Sequence, residues 1–100
     1  MSILHTVNKS PFQKADLSSC LAHANAGDAV LLIEDGVYGA IAGTDAAKDI
    51  ATADPSIYVL GGDLAARGIA GDKVADGITV IEYDGFVDLV TEHKAVNSWL

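Results

Sequence analysis

Ile3-Leu4-His5-Thr6-Val7-Asn8-Lys9-Ser10-Pro11-Phe12-Gln13 joins a short β-branched, apolar run to a helix-start signal, and this junction decides the fold class. Ile3 to Val7 reads as a strand, central because it is so apolar. Ser10 stands where an N-cap would, Pro11 at the first helical position, and Gln13 three residues past the cap, within reach of its amide. Leu17, Cys20, Leu21 and Ala24 then recur at helical spacing, so the reading gives a helix from Pro11 that Gly27 ends.

The same rhythm continues along the chain. Ala29 to Ile33 is apolar without alternation, as a strand covered on both faces is, and Glu34-Asp35-Gly36 closes it. Val37 to Ala42 and Asp45 to Ala53 read as helical on either side of Gly43, and Asp54-Pro55 stops them. Ile57 to Leu60 is a third strand. Gly61-Gly62 forms its exit, and Asp63 is placed to cap a short helix, Leu64 to Arg67, that Gly68 terminates. Ile78 to Tyr83 is a further strand, and Asp84 is placed to cap a helix whose apolar face is Phe86, Val87, Leu89 and Val90. The tail Val96 to Leu100 is apolar enough to be expected docked.

Strands separated by helices predict a small three-layer α/β domain over residues 1–100, with a mainly parallel sheet and helices on both faces. The exits at Asn8, Glu34 to Gly36 and Gly61 to Asp63 would then share one sheet edge, where open α/β sheets place ligands.

The chain has 100 residues, and half of them are hydrophobic. A domain of this size buries only roughly two-thirds of its extended surface, so partner surfaces are attractive sources of further burial. Fourteen acidic residues against six basic ones give a net charge of −8, with the cations scattered singly. Phosphate backbones and anionic membranes are held by clustered Lys and Arg, which argues against direct contact with either. The longest apolar run, Ala29 to Ile33, is too short to span a bilayer. Met1 to Ser10 lacks the basic start and apolar stretch of a signal peptide, and the single cysteine cannot form an internal disulfide. The expected compartment is the cytoplasm.

The opening Ile3 to Phe12 resembles the start of DsrH and TusB proteins, which read L-H-T-x-x-x-S-P. The likeness continues through Gly27-Asp28, Ala29 to Val37, Tyr58-Val59-Leu60, Asp63-Leu64, Ala66-Arg67-Gly68, Tyr83, Phe86 to Leu89 and Trp99. The resemblance implies a DsrEFH-like fold and membership of a heterohexamer, a dimer of heterotrimers. Its other subunits are DsrE/TusD-like and DsrF/TusC-like, and it passes sulfane sulfur between cysteine persulfides and on to sulfur-carrier proteins. The principal sulfur-accepting cysteine lies in the DsrE/TusD partner. The Dsr branch serves sulfur oxidation and the Tus branch 2-thiouridine formation at the tRNA wobble position. Cys20 matches a cysteine that DsrH-type members carry on the first helix and TusB members can lack, which favours the DsrH-type reading.

Cys20 is the one candidate for chemistry, as a persulfide carrier. Such a residue needs a thiolate at neutral pH, access to the surface and a facing sulfur. Cys20 instead falls on the apolar stripe with no adjacent Lys or Arg, so a packing role competes with the carrier role. Cys20 and His23 supply half of a zinc-type donor set, but His5 and His93 are the only other histidines and no second pair exists. Glu34 and Asp35 are adjacent, so a solvated turn competes with an acid/base pair. Gly36, Gly39, Gly43, Gly61 and Gly62 follow neither a dinucleotide nor a P-loop pattern. Ser10 and His5 lack a nucleophile-elbow context. The sequence is therefore read as a non-catalytic or auxiliary subunit of a cytoplasmic sulfur-relay complex in sulfur oxidation, without metal or cofactor. The alternatives are a TusB-type subunit for tRNA thiolation, a purely structural subunit, and an independent small-molecule-binding module.

Overall fold

The computed structural model describes residues 2–100; Met1, the first residue of the stretch read for a leader, lies outside them. Five strands form one sheet: β1 (Ile3–Val7), β2 (Ala29–Leu32), β3 (Ser56–Leu60), β4 (Ile78–Ile81) and β5 (Ala95–Trp99). Their order is β4-β3-β2-β1-β5, and every neighbouring pair is parallel. Between them run α1 (Asp16–His23), α2 (Asp45–Ala51), α3 (Gly61–Ala66) and α4 (Tyr83–Glu92), with 3₁₀ turns at Glu34–Ala40 and Gly71–Lys73.

The connections explain the layering. From β1 to β4 the chain steps in one direction, and right-handed crossovers of that kind put their helices on one face. There Val7, Val30, Leu32, Ile57 and Val59 of the sheet meet Leu17, Cys20, Val37, Ala40, Ile50 and Leu64. The step from β4 to β5 reverses direction and crosses to the far side of β1, so α4 covers the opposite face. That second layer is thin: its buried members are Leu4, Ala29, Leu31 and Leu89, with Ile33, Tyr58, Ile81 and Phe86 only partly covered.

The expected sheet, its parallel sense and the helices on both faces are present, whereas several boundaries differ from the reading. The first helix begins at Asp16 and not at Pro11, and it ends at His23 before Gly27. Ser10 makes a local turn instead, its Oγ accepting from the Phe12 amide at 3.2 Å and its carbonyl from the Gln13 and Lys14 amides. Phe12 is 66% exposed, so extending the helix back through it would bury nothing to offset the cost of ordering it. In place of the helix expected over Val37 to Ala42 there is a 3₁₀ turn, Glu34–Ala40, with Ile41 bridged to Val74, and α2 stops at Ala51 with Thr44 as its cap, the Ala47 amide donating to Thr44 Oγ1 at 3.2 Å.

Neither expected aspartate cap forms. α3 starts at Gly61, which places Asp63 inside its first turn, where its carboxylate accepts from the Glu34 amide at 2.7 Å. β4 ends at Ile81 and α4 begins at Tyr83, so Asp84 also lies in a first turn and accepts from the Gly85 amide. Gly68 does terminate α3, with φ at +69°. The apolar tail is β5, paired along its length with β1, although Leu100 itself is exposed.

Gly36 shows how tightly the first layer closes. A β-carbon there would collide with the carbonyl of Val7, so the 3₁₀ turn lies directly on the end of β1. Gly36→Ala is expected to destabilise the chain by about 1–3 kcal/mol, the range for overpacking. A urea unfolding curve with an unchanged midpoint would show that the turn gives way instead.

Candidate functional site

The strand exits converge on one edge as the topology requires; Asn8 Oδ1 at the first is buried without a partner, and the residues of the other two exits are occupied with one another. The Glu34 amide is held by Asp63, and Arg67 Nε donates to Asp35 Oδ1 at 2.9 Å while its Nη1 donates to the Asp63 carbonyl. A β-carbon on Gly61 would meet the carboxylate of Glu82. Carboxylates gather at this edge, and the guanidinium that reaches them is already engaged. Glu34 and Asp35 are both exposed, and Glu34 has φ at +50°, so they form a solvated turn and not a converging acid/base pair.

Cys20 lies at the centre of the first layer and is fully buried, surrounded by apolar groups of α1, the sheet and the 3₁₀ turn. Burial pushes its thiol up to about 12, and the negative charge of Asp28 adds to the rise. Both effects disfavour the thiolate that sulfur transfer uses. His23 is exposed and its Nδ1 donates to the Ser19 carbonyl at 2.8 Å, so it does not join Cys20 in a donor set. Among the described residues no group of three His, Cys, Asp or Glu side chains converges as a metal site would need.

The sequence reading missed the most organised polar cluster, which lies beside Cys20. Asp28, 2% exposed, precedes β2 and faces the middle of β1. Its Oδ1 accepts from the Ile3 amide at 2.9 Å, and its Oδ2 from the Asn25 amide at 3.0 Å and from His5 Nε2 at 3.1 Å. On the other side of the ring, Trp99 Nε1 donates to His5 Nδ1 at 3.1 Å. An indole N–H can only donate, so Nδ1 is the accepting nitrogen and the proton of His5 resides on Nε2. The imidazole is the neutral tautomer with both nitrogens engaged. It therefore holds no free lone pair with which to take a proton from Cys20. The signal was present in the sequence: a histidine inside an apolar strand, an aspartate just before the next strand, and one tryptophan at the far end.

The carboxyl of Asp28 is held below the usual range, chiefly by the Asn25 amide and further by the Ile3 amide and His5, against the opposing effect of burial. Hydrogen bonds to the charged form thus prevail over desolvation.

Comparison with known proteins follows the same outline as the geometry. Residues 9–96 match the family described as DsrH like protein. The chain belongs to that family. This DsrH-like protein is 36% identical over 97 residues to Protein TusB of Pectobacterium parmentieri, a match covering 97% of this chain and 100% of that one. It is 40% identical over the same shares to Protein TusB of Serratia proteamaculans (strain 568), and 37% to that of Yersinia pestis (strain Pestoides F). The preference for the DsrH-type reading that Cys20 prompted is reversed by these relatives, which are TusB proteins. Among solved structures, the ychN protein from E. coli superposes with a TM-score of 0.78 at 13% identity, covering 98% of each chain. Protein Tm0979 from Thermotoga maritima gives 0.70 at 22% identity, covering 92% of this DsrH-like chain and 93% of its own. At those identities the likeness concerns the fold.

Two outcomes are expected. In the folded chain Cys20 resists iodoacetamide at pH 8, and it reacts within minutes once urea unfolds the protein; rapid labelling of the native state, read by mass spectrometry, contradicts the closed first layer. Because the pKa of the Asp28 carboxyl is lower in the folded than in the unfolded chain, its contribution is fully present above the unfolded value of ~3.9 and is lost as pH falls from there towards the folded value. Asp28→Asn should lower stability at pH 7 and flatten the acid limb of a stability-versus-pH curve. A parallel, undiminished acid limb would assign that limb to other carboxylates.

Proposed function

We propose that this chain is a non-carrier subunit of a cytoplasmic sulfur-relay complex on the branch that forms 2-thiouridine at the tRNA wobble position. The carrying observation is its 36–40% identity to TusB proteins along their whole length. The resemblance noted in the sequence supplies the companions: a DsrE/TusD-like chain with the principal sulfur-accepting cysteine and a DsrF/TusC-like chain, assembled as a heterohexamer. No helix among the described residues is long and apolar enough to cross a membrane. A net charge of −8 supports leaving tRNA contact to other components.

The non-carrier assignment follows from the chemistry of Cys20. A persulfide relay needs a thiolate that attacks a sulfur on another chain. A fully buried thiol with its acidity pushed up to about 12 is a poor nucleophile and lies out of reach of a partner. The chain then contributes surface and shape, and sulfur passes through cysteines elsewhere in the assembly.

Disrupting the gene and digesting total tRNA for nucleoside mass spectrometry tests both parts. Loss of 2-thiouridine, restored by wild type and equally by Cys20→Ala, is the expected result. Unchanged 2-thiouridine on disruption removes the branch assignment. Restoration by wild type but not by Cys20→Ala, with the complex still assembled, makes Cys20 the carrier.

A further inference from the structure

α4 presents three different sides. At about 100° per residue, Leu89 and the inner edge of Phe86 point to the sheet, Tyr83, Val87 and Val90 form a neighbouring stripe, and Asp84, Asp88 and Glu92 form a third row. The middle stripe is open: Tyr83 is 73% exposed, Val87 47% and Val90 40%. With Phe86 and Thr91 these side chains line a shallow hollow of ≈ 150 Å³ that is apolar almost throughout. An apolar stripe of this size beside a charged row is the composition of an interface core with its polar rim.

We infer that the Tyr83, Val87 and Val90 stripe of α4 docks a sister subunit of the relay complex, through an apolar surface of that subunit bordered by Lys or Arg. The inference rests on the proposed membership of such a complex and names the surface and partner chemistry. Two observations select the occupant. The acidic row Asp84, Asp88, Glu92 runs the length of the stripe, and α4 has no basic residue in its last turn to balance it. A second copy of this chain, at −8, would bring a second acidic row and no cationic one, so the complement is a different, basic-rimmed chain. The layering points the same way. Among the described residues α4 alone covers its sheet face, leaving Phe86, Ile81 and Tyr58 only partly buried, and a partner over the stripe completes that layer.

The experiment uses the full chain co-expressed with its two related subunits, with affinity read by titration and assembly by light scattering. Val87→Asp is expected to weaken association on the order of 10-fold or more. Asp84→Lys with Asp88→Lys is expected to weaken it and to abolish its sensitivity to salt. Phe12→Asp, at a more exposed apolar residue elsewhere, should leave assembly unchanged. All four positions are exposed, and thermal unfolding of each purified variant checks that the fold survives. Wild-type affinity in Val87→Asp overturns the docking surface while leaving the proposed function standing. Self-association of the isolated chain that Val87→Asp abolishes makes the occupant a second copy and overturns the partner assignment. Failure of the wild type to associate with either related subunit removes the proposed function and this inference together.

Discussion

Asp28 is the group on which the arrangement of the sheet turns. A nearly fully buried carboxylate is tolerated because its oxygens accept three hydrogen bonds, from Ile3, Asn25 and His5. Through His5 the same charge reaches Trp99, so the start of β1, the turn before β2 and the end of β5 are fixed by one chain of polar contacts. Removing one partner would leave a buried charge with fewer bonds to offset its desolvation, which costs more than the net worth of the bond itself. The cluster therefore acts on register: Trp99 sits opposite Val7 when its indole can reach His5. Thr6 Oγ1 donates to Ser98 Oγ on the other face, which ties the same two strands a second time.

The two layers differ in kind. One is closed by three helices and a 3₁₀ turn, with backbone contacts at Gly36 too close for any other residue. Cys20 is fully buried there, and the burial that packs it also disfavours its thiolate. The other is closed by a single helix whose outer side remains apolar and partly acidic. Dense packing thus collects on one side of the sheet, and exposed apolar surface on the other.

Much of the architecture was legible in the residues. The unalternating run Ala29 to Ile33 reads as a strand covered on both faces, as the fully buried β2 is, and the rhythm of strand and helix points to the parallel sheet. What the residues could not give was the choice among equally good local signals. Ser10-Pro11 has the chemistry of a helix cap, but the energy that extends a helix comes from burying a face, and Phe12 has nothing to bury against. Asp63 and Asp84 are competent caps whose carboxylates found other amides. The His5–Asp28–Trp99 cluster was hidden for a different reason. Its members are 23 and 94 residues apart, and only the topology brings them together.

That separation has a consequence for how the molecule reaches its final state. β1 is among the earliest segments in the chain, yet one of its two flanks is covered only by β5, at the opposite end. Contacts between distant segments are slow to form, because the intervening loop must close before any of them is rewarded. Within β1 through β4 each strand pairs with its neighbour in sequence, so those contacts close shorter loops than the pairing of β1 with β5. The last strand covers the far flank of β1, and α4, which spans from β4 to β5, lies across the sheet face on the way. A chain in which β5 had not yet paired would show a bare edge at β1 and a sheet face without its one covering helix.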